Sequence, residues 1–204
     1  TRVFGGAESL RREPFAGALE CDETTFGGAR HGKRGWGAAG KVVVFGIVKR
    51  NGQVRASPIA RHDEANILAQ IQAHTREGSL YYTDAWQAYA TLRLRGNHVV
   101  VRKNKGKPVG RDHINGIEGF WSYAKNWLYP YRGVPSRFFH LYLAETCYRF
   151  NHRSEDLMPL LRKLLQTTPT FDINPILVRS GLELPFFKAC SSRLPSSRGS
   201  LHIA

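Results

Sequence analysis

Residues 41–52 read KVVVFGIVKRNG, and this stretch carries the strongest structural signal in the chain. The run Lys41–Lys49 is apolar and β-branched, which is typical of a buried strand. Asn51-Gly52 is a dipeptide that favours a type I′ turn. Gln53–Ala60 is therefore predicted to return as the second strand of an antiparallel hairpin.

The segments around this hairpin predict a mixed α/β sheet. Before it, the apolar run Ala16–Asp22 (AGALECD) predicts a strand that ends at Asp22. After it, Asp63 is expected to cap a helix from Glu64 to about Arg76, which Gly78 ends. The next elements are a strand at Ser79–Thr83 that ends at Asp84, a short helix to Leu94 and a strand at His98–Val101. Strands alternating with helices in this order indicate helices packed on one sheet.

The second half of the chain is predicted to be helical. Asn115 starts a helix with one apolar stripe, formed by Ile117, Phe120, Trp121, Ala124 and Leu128. Ser136 is expected to cap a further helix to about His152, and a last helix spans Glu155–Gln166. Residues 169–204 are rich in Pro, Ser, Arg and Gly, and this composition predicts a loosely ordered tail.

The charge balance points to a polyanionic partner. The 204 residues include 30 Lys plus Arg and 16 Asp plus Glu, a formal net charge of +14. Nucleic acid is the usual partner of so basic a chain, although ribosomal and membrane-surface proteins share the property. Three scattered cysteines, Cys21, Cys147 and Cys190, form neither a disulfide framework nor a zinc pair, and they fit a reducing compartment. No apolar run approaches the roughly 18 residues of a membrane helix, and no signal peptide is visible.

Three acids lie where a metal site could form. Asp22 and Asp84 end predicted strands, and Glu118 lies in the first turn of the helix after the basic loop 102–107. Two-metal phosphoryl transfer requires carboxylates that converge on ions about 3.5–4 Å apart, and Mg²⁺ prefers oxygen ligands. Lys125 follows Glu118 by two helical turns and shares its face, where it could contact a phosphate.

Each of these residues also has a structural interpretation. Asp22 and Asp84 are ordinary strand-end residues when taken singly, and Glu118 could complete a capping box with Asn115. Lys125 could simply be solvated, and other acids compete for the role, namely Asp112 and the pair Asp63-Glu64. The joint pattern of three acids at element ends favours the metal site.

Several motifs resemble one known family, the ISXO-type insertion-sequence transposases, which are related to the eukaryotic Merlin elements. The similar stretches are ECDETTFGG at 20–28, the Gly/Lys/Arg loop to Lys41, YTDAWQAY at 82–89, HINGIEGFWS at 113–122 with Lys125, and YRFNHR at 148–153. They keep the family's order over about two-thirds of the chain.

This resemblance implies an RNase H-like fold and metal-dependent cleavage and joining of DNA at a DDE site. It implies Asp22, Asp84 and Glu118 as ligands of two Mg²⁺ or Mn²⁺ ions, with Asp22 bridging them, and Lys125 as the accompanying lysine. His113 and Asn115 also match the family pattern, so they are expected to position DNA, or else to serve as loop and helix-start residues.

The partner implied is double-stranded DNA, both transposon ends and target, bound by a homo-oligomer. Two basic loops are expected to contact phosphates, through Arg30, Lys33 and Arg34 in the first and Arg102, Lys103, Lys105, Lys107 and Arg111 in the second. The expected location is the cytoplasm, at the nucleoid in a bacterium, with no membrane contact. The alternatives are an RNase H-like DNA nuclease without strand transfer and a DNA-binding remnant that no longer transposes.

The predicted organisation has one catalytic domain. Residues 1–17 form a residual N-terminal segment, 18–168 the RNase H-like catalytic domain and 169–204 the tail. Relatives usually carry an N-terminal zinc ribbon or helix-turn-helix, for which about 19 residues are too few. Because the chain also begins with Thr1, we expect a fragment, a processed product or a truncated reading frame.

Overall fold

The computed structural model describes residues 13–27, 40–50, 52–85, 87–101, 112–131 and 134–167. In that part of the chain, one sheet contains the strands Ala18–Phe26 (β1), Val42–Lys49 (β2), Val54–Ile59 (β3), Leu80–Thr83 (β4) and Asn97–Val100 (β5). The helices are Glu64–His74 (α1), Asn115–Leu128 (α2), Ser136–Asn151 (α3) and Leu157–Thr167 (α4), with a 3₁₀ helix at Gln87–Leu94. None of these described helices has the length and apolar character needed to cross a membrane. Residues 1–12 and the predicted tail, 169–204, lie outside the described residues.

The sheet is mixed, with β1 at its centre. The strand order is β3-β2-β1-β4-β5. The β1–β2 and β2–β3 pairs are antiparallel, whereas β1–β4 and β4–β5 are parallel. The predicted hairpin is therefore present as β2 and β3. A mixed sheet flanked by helices confirms the α/β class and is consistent with the RNase H-like fold.

Two apolar cores lie on opposite faces of the sheet. The first packs the sheet against α2 and α3, and its members include Phe26, Val44, Val48, Tyr82, Ile117, Phe120, Trp121, Phe139 and Leu143. The second packs the other face against α1 and the 3₁₀ helix, through Leu19, Cys21, Phe45, Ile47, Ile67, Ile71, Tyr81 and Tyr89. Because side chains alternate along a strand, consecutive residues of β1 enter different cores. This alternation separates the acids that are neighbours in the sequence.

Strand β1 is longer than the sequence predicted. It continues to Phe26, so Asp22 lies inside the strand and not at its end. Residues 24–26 are two threonines and a phenylalanine, which favour extended structure. They pair with Val42–Val44 of β2, and this pairing extends the strand past the acid.

Helix α1 begins as predicted but ends earlier. The Asp63 carboxylate accepts a hydrogen bond from the backbone N–H of Asn66 at 2.9 Å, which confirms the N-cap. The helix ends at His74 and not near Arg76, because Thr75 adopts an extended conformation and forms a bridge with Phe15. The end of α1 is therefore set by a distant segment of the chain.

Helix α2 begins at Asn115 as predicted, whereas the predicted cap of α3 is wrong. Ser136 is the first helical residue of α3, and Pro135 holds the cap position without a side-chain hydrogen bond. Pro135 presets a φ of −59°, and its carbonyl accepts from the N–H of Phe138 at 2.9 Å. The residue type of Ser136 suggested a cap, but the chain enters α3 one residue earlier.

The last residue of α3 covers an open edge of the sheet. Strand β3 is an edge strand, so its outer backbone groups have no strand partner. The Asn151 side chain accepts from the N–H of Val54 at 2.7 Å and donates to the Val54 carbonyl at 3.0 Å. The Asn151 amide thus satisfies the two backbone groups of Val54 that a neighbouring strand would otherwise pair with, and it links α3 to the sheet.

Asn151→Ala is expected to lower the free energy of unfolding by about 1–3 kcal/mol, because it removes both partners of the buried Val54 backbone. Urea titration of the two proteins measures this. The matched control is Asn126→Ala, at an exposed position of α2. Equal losses in the two variants would show that the amide contributes nothing particular at Val54.

Candidate active site at the centre of the sheet

Asp22 and Asp84 lie on the two central parallel strands. The register pairs Ala18 with Leu80 and Glu20 with Tyr82. If this register is continued by two residues, Asp22 lies opposite Asp84, which directly follows β4 as predicted. Both side chains are half-buried. The first and second predicted acids are therefore neighbours across the middle of the sheet.

The environment of the Asp22 carboxyl group disfavours its ionised form. Burial is the main reason that its pKa is raised to about 7, and the negative charges of Glu23 and Asp84 raise it further. Hydrogen bonds from the Trp121 side chain and the Glu23 backbone act in the opposite direction. A bound cation would relieve the repulsion between these carboxylates.

Trp121 is a site residue that the sequence assigned only to the core. Its indole Nε1 donates to the Asp22 carboxylate at 3.0 Å. A buried indole N–H usually requires an acceptor, and that requirement is the signal that could have linked the helix to the acid. The ring packs edge-on against Phe26, with centroids 6.2 Å apart.

Gly46 makes room for the Trp121 ring. It lies opposite Asp22 on the neighbouring strand β2. A Cβ atom there would lie 2.6 Å from Cη2 of Trp121, closer than real contacts allow, and 3.0 Å from Cδ1 of Ile117, tighter than most real contacts. A side chain at this position would push the indole off the sheet, so the glycine allows Trp121 to reach Asp22.

The other two acids of the segment ECDE, Glu20 and Glu23, form hydrogen bonds with other parts of the protein. Glu23 faces the opposite core, where Tyr89 Oη donates to it in a short hydrogen bond and His62 Nε2 lies 2.9 Å away. Burial raises the Glu23 pKa, and these two hydrogen bonds partly offset the increase. Glu20 is 1% exposed and bonds to Arg50 and to the start of α2. Asp22 is thus the acid of this segment that is level with Asp84 in the strand register and bonded to α2, while the charge of Asp84 also raises the pKa of Glu23.

The backbone that carries Asp84 is fixed by its neighbours. The Thr83 hydroxyl donates to the Asp84 carbonyl at 2.8 Å, and His98 Nε2 lies 2.8 Å from the same hydroxyl. Because Thr83 has one proton and has used it, His98 must carry a proton on Nε2. Burial and the charge of Arg93 lower the His98 pKa, which agrees with a neutral imidazole.

Glu118 is placed in the first turn of α2, as predicted. It lies one turn before Trp121 and is half-buried, and the Ser122 hydroxyl donates to its backbone carbonyl at 3.1 Å. The alternative of a capping box is not observed, since the N-cap position is held by Ile114 and not by Asn115. Lys125 is exposed two turns further along the helix. Among the described residues, no three His, Cys, Asp or Glu side chains form a group that could hold a metal ion.

His113 lies beside the buried Glu20 and not beside Asp22. Its Nδ1 is 3.7 Å from the Glu20 carboxylate, and its carbonyl accepts from Arg50 Nη2 at 2.5 Å. Asn115 is exposed at the first turn of α2. The predicted DNA contacts in the two basic loops, Arg30, Lys33, Arg34, Arg102, Lys103, Lys105, Lys107 and Arg111, lie outside the described residues.

The chain is similar to known transposase-like proteins. Residues 14–151 match the ISXO2-like transposase domain. Over 104 residues the chain is 30% identical to an uncharacterized transposase-like protein of Haemophilus influenzae, an alignment that covers 50% of this chain and 85% of that protein. The domain match includes β1, β4 and α2, the elements that carry the three acids.

Gly46→Ala is expected to destabilise the protein by about 1–3 kcal/mol, because the added methyl group displaces Trp121. Gly119→Ala is the matched control, since a Cβ atom there meets nothing within 4 Å. Alanine at that exposed helical position is expected to stabilise by up to about 1 kcal/mol. Thermal or urea unfolding gives both values, and a stable Gly46→Ala protein would contradict the packing argument.

The metal-free protein is expected to lose stability as the pH rises from about 4 to 7, relative to Asp22→Asn. A raised native pKa means that the folded state holds the proton longer than the unfolded state, so stability present at low pH is lost as the pH passes the native value of about 7. The stability difference between Asp22→Asn and wild type should grow by at most about 4 kcal/mol over this range. Urea titrations in EDTA at pH 4.5 and 8 measure it, with the exposed Asp112→Asn as the charge control. A difference independent of pH would contradict the prediction.

Proposed function

Because this chain belongs to the ISXO2-like transposase family, we propose that it cuts and rejoins the DNA of an insertion sequence with a DDE active site. The observation that carries this proposal is the proximity of Asp22 and Asp84 on adjacent central strands, where the charge of Asp84 contributes to the raised Asp22 pKa. DNA is the partner of a transposase, and the net charge of +14 supports binding to it.

Asp22 and Asp84 are the residues that would hold Mg²⁺ or Mn²⁺. Both supply hard carboxylate oxygens, which these ions prefer. Bound ions would lower the pKa of water and stabilise the charge on the attacking and leaving oxygens of a phosphodiester. The unfavourable burial of Asp22 supports this assignment, because a carboxylate placed beside another negative charge is stabilised by a cation.

Glu118 would complete the ligand set from α2. It lies one turn before Trp121, whose indole holds Asp22, so the helix is anchored to the acid pair close to Glu118. A glutamate has three rotatable bonds, and a cation at Asp22 and Asp84 would attract its carboxylate into a third ligand position. Lys125, exposed on the same helix, would contact a phosphate of the bound strand.

The remaining residues of the site would position the acids. Trp121 fixes the Asp22 carboxylate by its indole N–H, and the Thr83–His98 pair fixes the Asp84 backbone. Water and a DNA 3′-hydroxyl can serve as successive nucleophiles, so the proposed reaction requires no covalent protein–DNA intermediate. Two-ended cutting would require a homo-oligomer on DNA.

A remnant without catalytic activity is the second candidate. The observation that favours it is that no group of three potential ligands is assembled in the described part of the chain. The same observation is expected for an intact enzyme if Glu118 moves only when a cation is present. Metal-dependent cleavage separates the two.

Asp84→Asn is expected to reduce Mg²⁺- or Mn²⁺-dependent cleavage of supercoiled and labelled linear DNA by more than about 100-fold, since even outer-sphere partners of a metal contribute 10–100-fold. Glu118→Gln should lose activity similarly. The exposed Asp112→Asn, which removes the same charge from the segment preceding α2, should retain it. Joined products would select a transposase over a nuclease. Intact DNA after incubation with wild type, despite measurable DNA binding, would contradict the catalytic proposal and favour the remnant.

A further inference from the structure

A cleft opens on the same face of the sheet as the acid pair, where β1 and β4 begin. It has a volume of about 670 Å³, and the side chains that line it include Glu20, Lys49, Arg50, Tyr82, His113 and Arg153. Glu20 and Tyr82 precede Asp22 and Asp84 by two residues on the same strands. Two residues of a strand cover about 7 Å, so the cleft begins close to the acid pair.

Arg50 is held in one orientation within this cleft. Its Nε donates to Glu20 Oε1 at 3.0 Å, its Nη2 donates to the His113 carbonyl, and its guanidinium stacks on the Tyr82 ring, 3.5 Å from the centroid. None of these contacts with described residues involves Nη1. A guanidinium fixed in advance loses little entropy on binding a phosphate, and its planar geometry matches phosphate oxygens.

Among the described residues that line the cleft, one acid does not cancel the positive charge. Glu20 Oε2 accepts the N–H of Ile117 at 3.0 Å and Oε1 accepts from Arg50, so the carboxylate is satisfied within the protein. Three cations of the described lining, Lys49, Arg50 and Arg153, oppose it, and Lys49 and Arg153 are exposed. The described lining therefore carries a net charge of about +2 with His113 neutral, which favours an anion.

The aromatic rings of the cleft are already covered. Arg50 lies over Tyr82, and Arg153 lies over Phe150 at 4.5 Å from the ring centroid. A nucleobase would have to displace an arginine to stack on either ring, whereas a phosphate would meet the arginines directly. The chemistry of the cleft thus fits the backbone of a nucleic acid and not its bases.

We propose that this cleft binds a backbone phosphate of the DNA strand, one or two nucleotides from the bond placed at Asp22 and Asp84. The spacing supports this position, since about 7 Å corresponds to two steps of 3.4 Å along the axis of a DNA duplex. The identity of the anion rests on the proposed function, while the anion-binding character of the cleft rests on its own residues.

The test is the salt dependence of DNA binding by Lys49→Gln/Arg153→Gln, which removes the two exposed cations and leaves the Arg50–Glu20 pair intact. The dissociation constant for a 30-base-pair duplex in EDTA is measured by fluorescence anisotropy at 50 and 200 mM salt. Each phosphate contact contributes about a 3.5-fold change over this range, so losing the one phosphate contact proposed here should shrink the advantage of wild type about 3.5-fold.

The matched control is Arg61→Gln/Arg93→Gln, which removes the same charge from exposed positions outside the cleft. It should change the salt dependence little. Equal effects of the two double variants, or no effect of Lys49→Gln/Arg153→Gln, would overturn the cleft proposal even if cleavage depends on Asp84. Cleavage that is absent, or unaffected by Asp84→Asn, would overturn the proposed function alone if the cleft variant still alters the salt dependence.

Discussion

The hydrogen bond from the Ile117 backbone to the buried Glu20 carboxylate fixes the position of helix α2 on the sheet. Helix α2 has no side-chain cap of its own, and Glu20 supplies the missing acceptor from the central strand. Gly116 permits the approach, because a Cβ atom there would lie 2.8 Å from Glu20 Oε2. Once the helix start is fixed in this way, Trp121 reaches Asp22 and Glu118 lies one turn away. The buried Glu20 carboxylate therefore helps to determine where α2, and with it Glu118, lies relative to Asp22.

Strand β1 separates three acids that are close in sequence by sending them to different partners. Glu20 binds Arg50 and α2, Glu23 binds Tyr89 and His62 on the other face, and Asp22 remains beside Asp84. Burial and mutual repulsion make ionised Asp22 unfavourable in the metal-free protein. The fold tolerates this cost because β1 is paired on both sides and covered on both faces. A site of this kind gains stability from a cation, which connects the energetics of the fold to the proposed chemistry.

Much of the fold and part of the site could be predicted from local pattern. The apolar run of β2 and its Asn-Gly turn predicted the hairpin, and the apolar stripe of α2 predicted which residues face the sheet. Asp84 and Glu118 lie at the element ends that the pattern marked for them. Asp22 was placed wrongly at the end of β1, because residues 24–26 extend the strand only through pairing with β2. The cap predicted at Ser136 was wrong because a local capping preference competes with the preset φ of Pro135, which holds the cap position.

The amino-acid sequence by itself determined the α/β class, the order of elements and the set of candidate acids, since periodicity and turn residues act over a few neighbouring positions. Only the tertiary structure decided which acid of the segment ECDE lies beside Asp84, that Trp121 binds it, and that Arg50 is fixed in a basic cleft. These outcomes depend on strand register and on contacts between residues 30 to 99 positions apart. No local pattern encodes such contacts, because they form only when the strands pair and the helices pack on them.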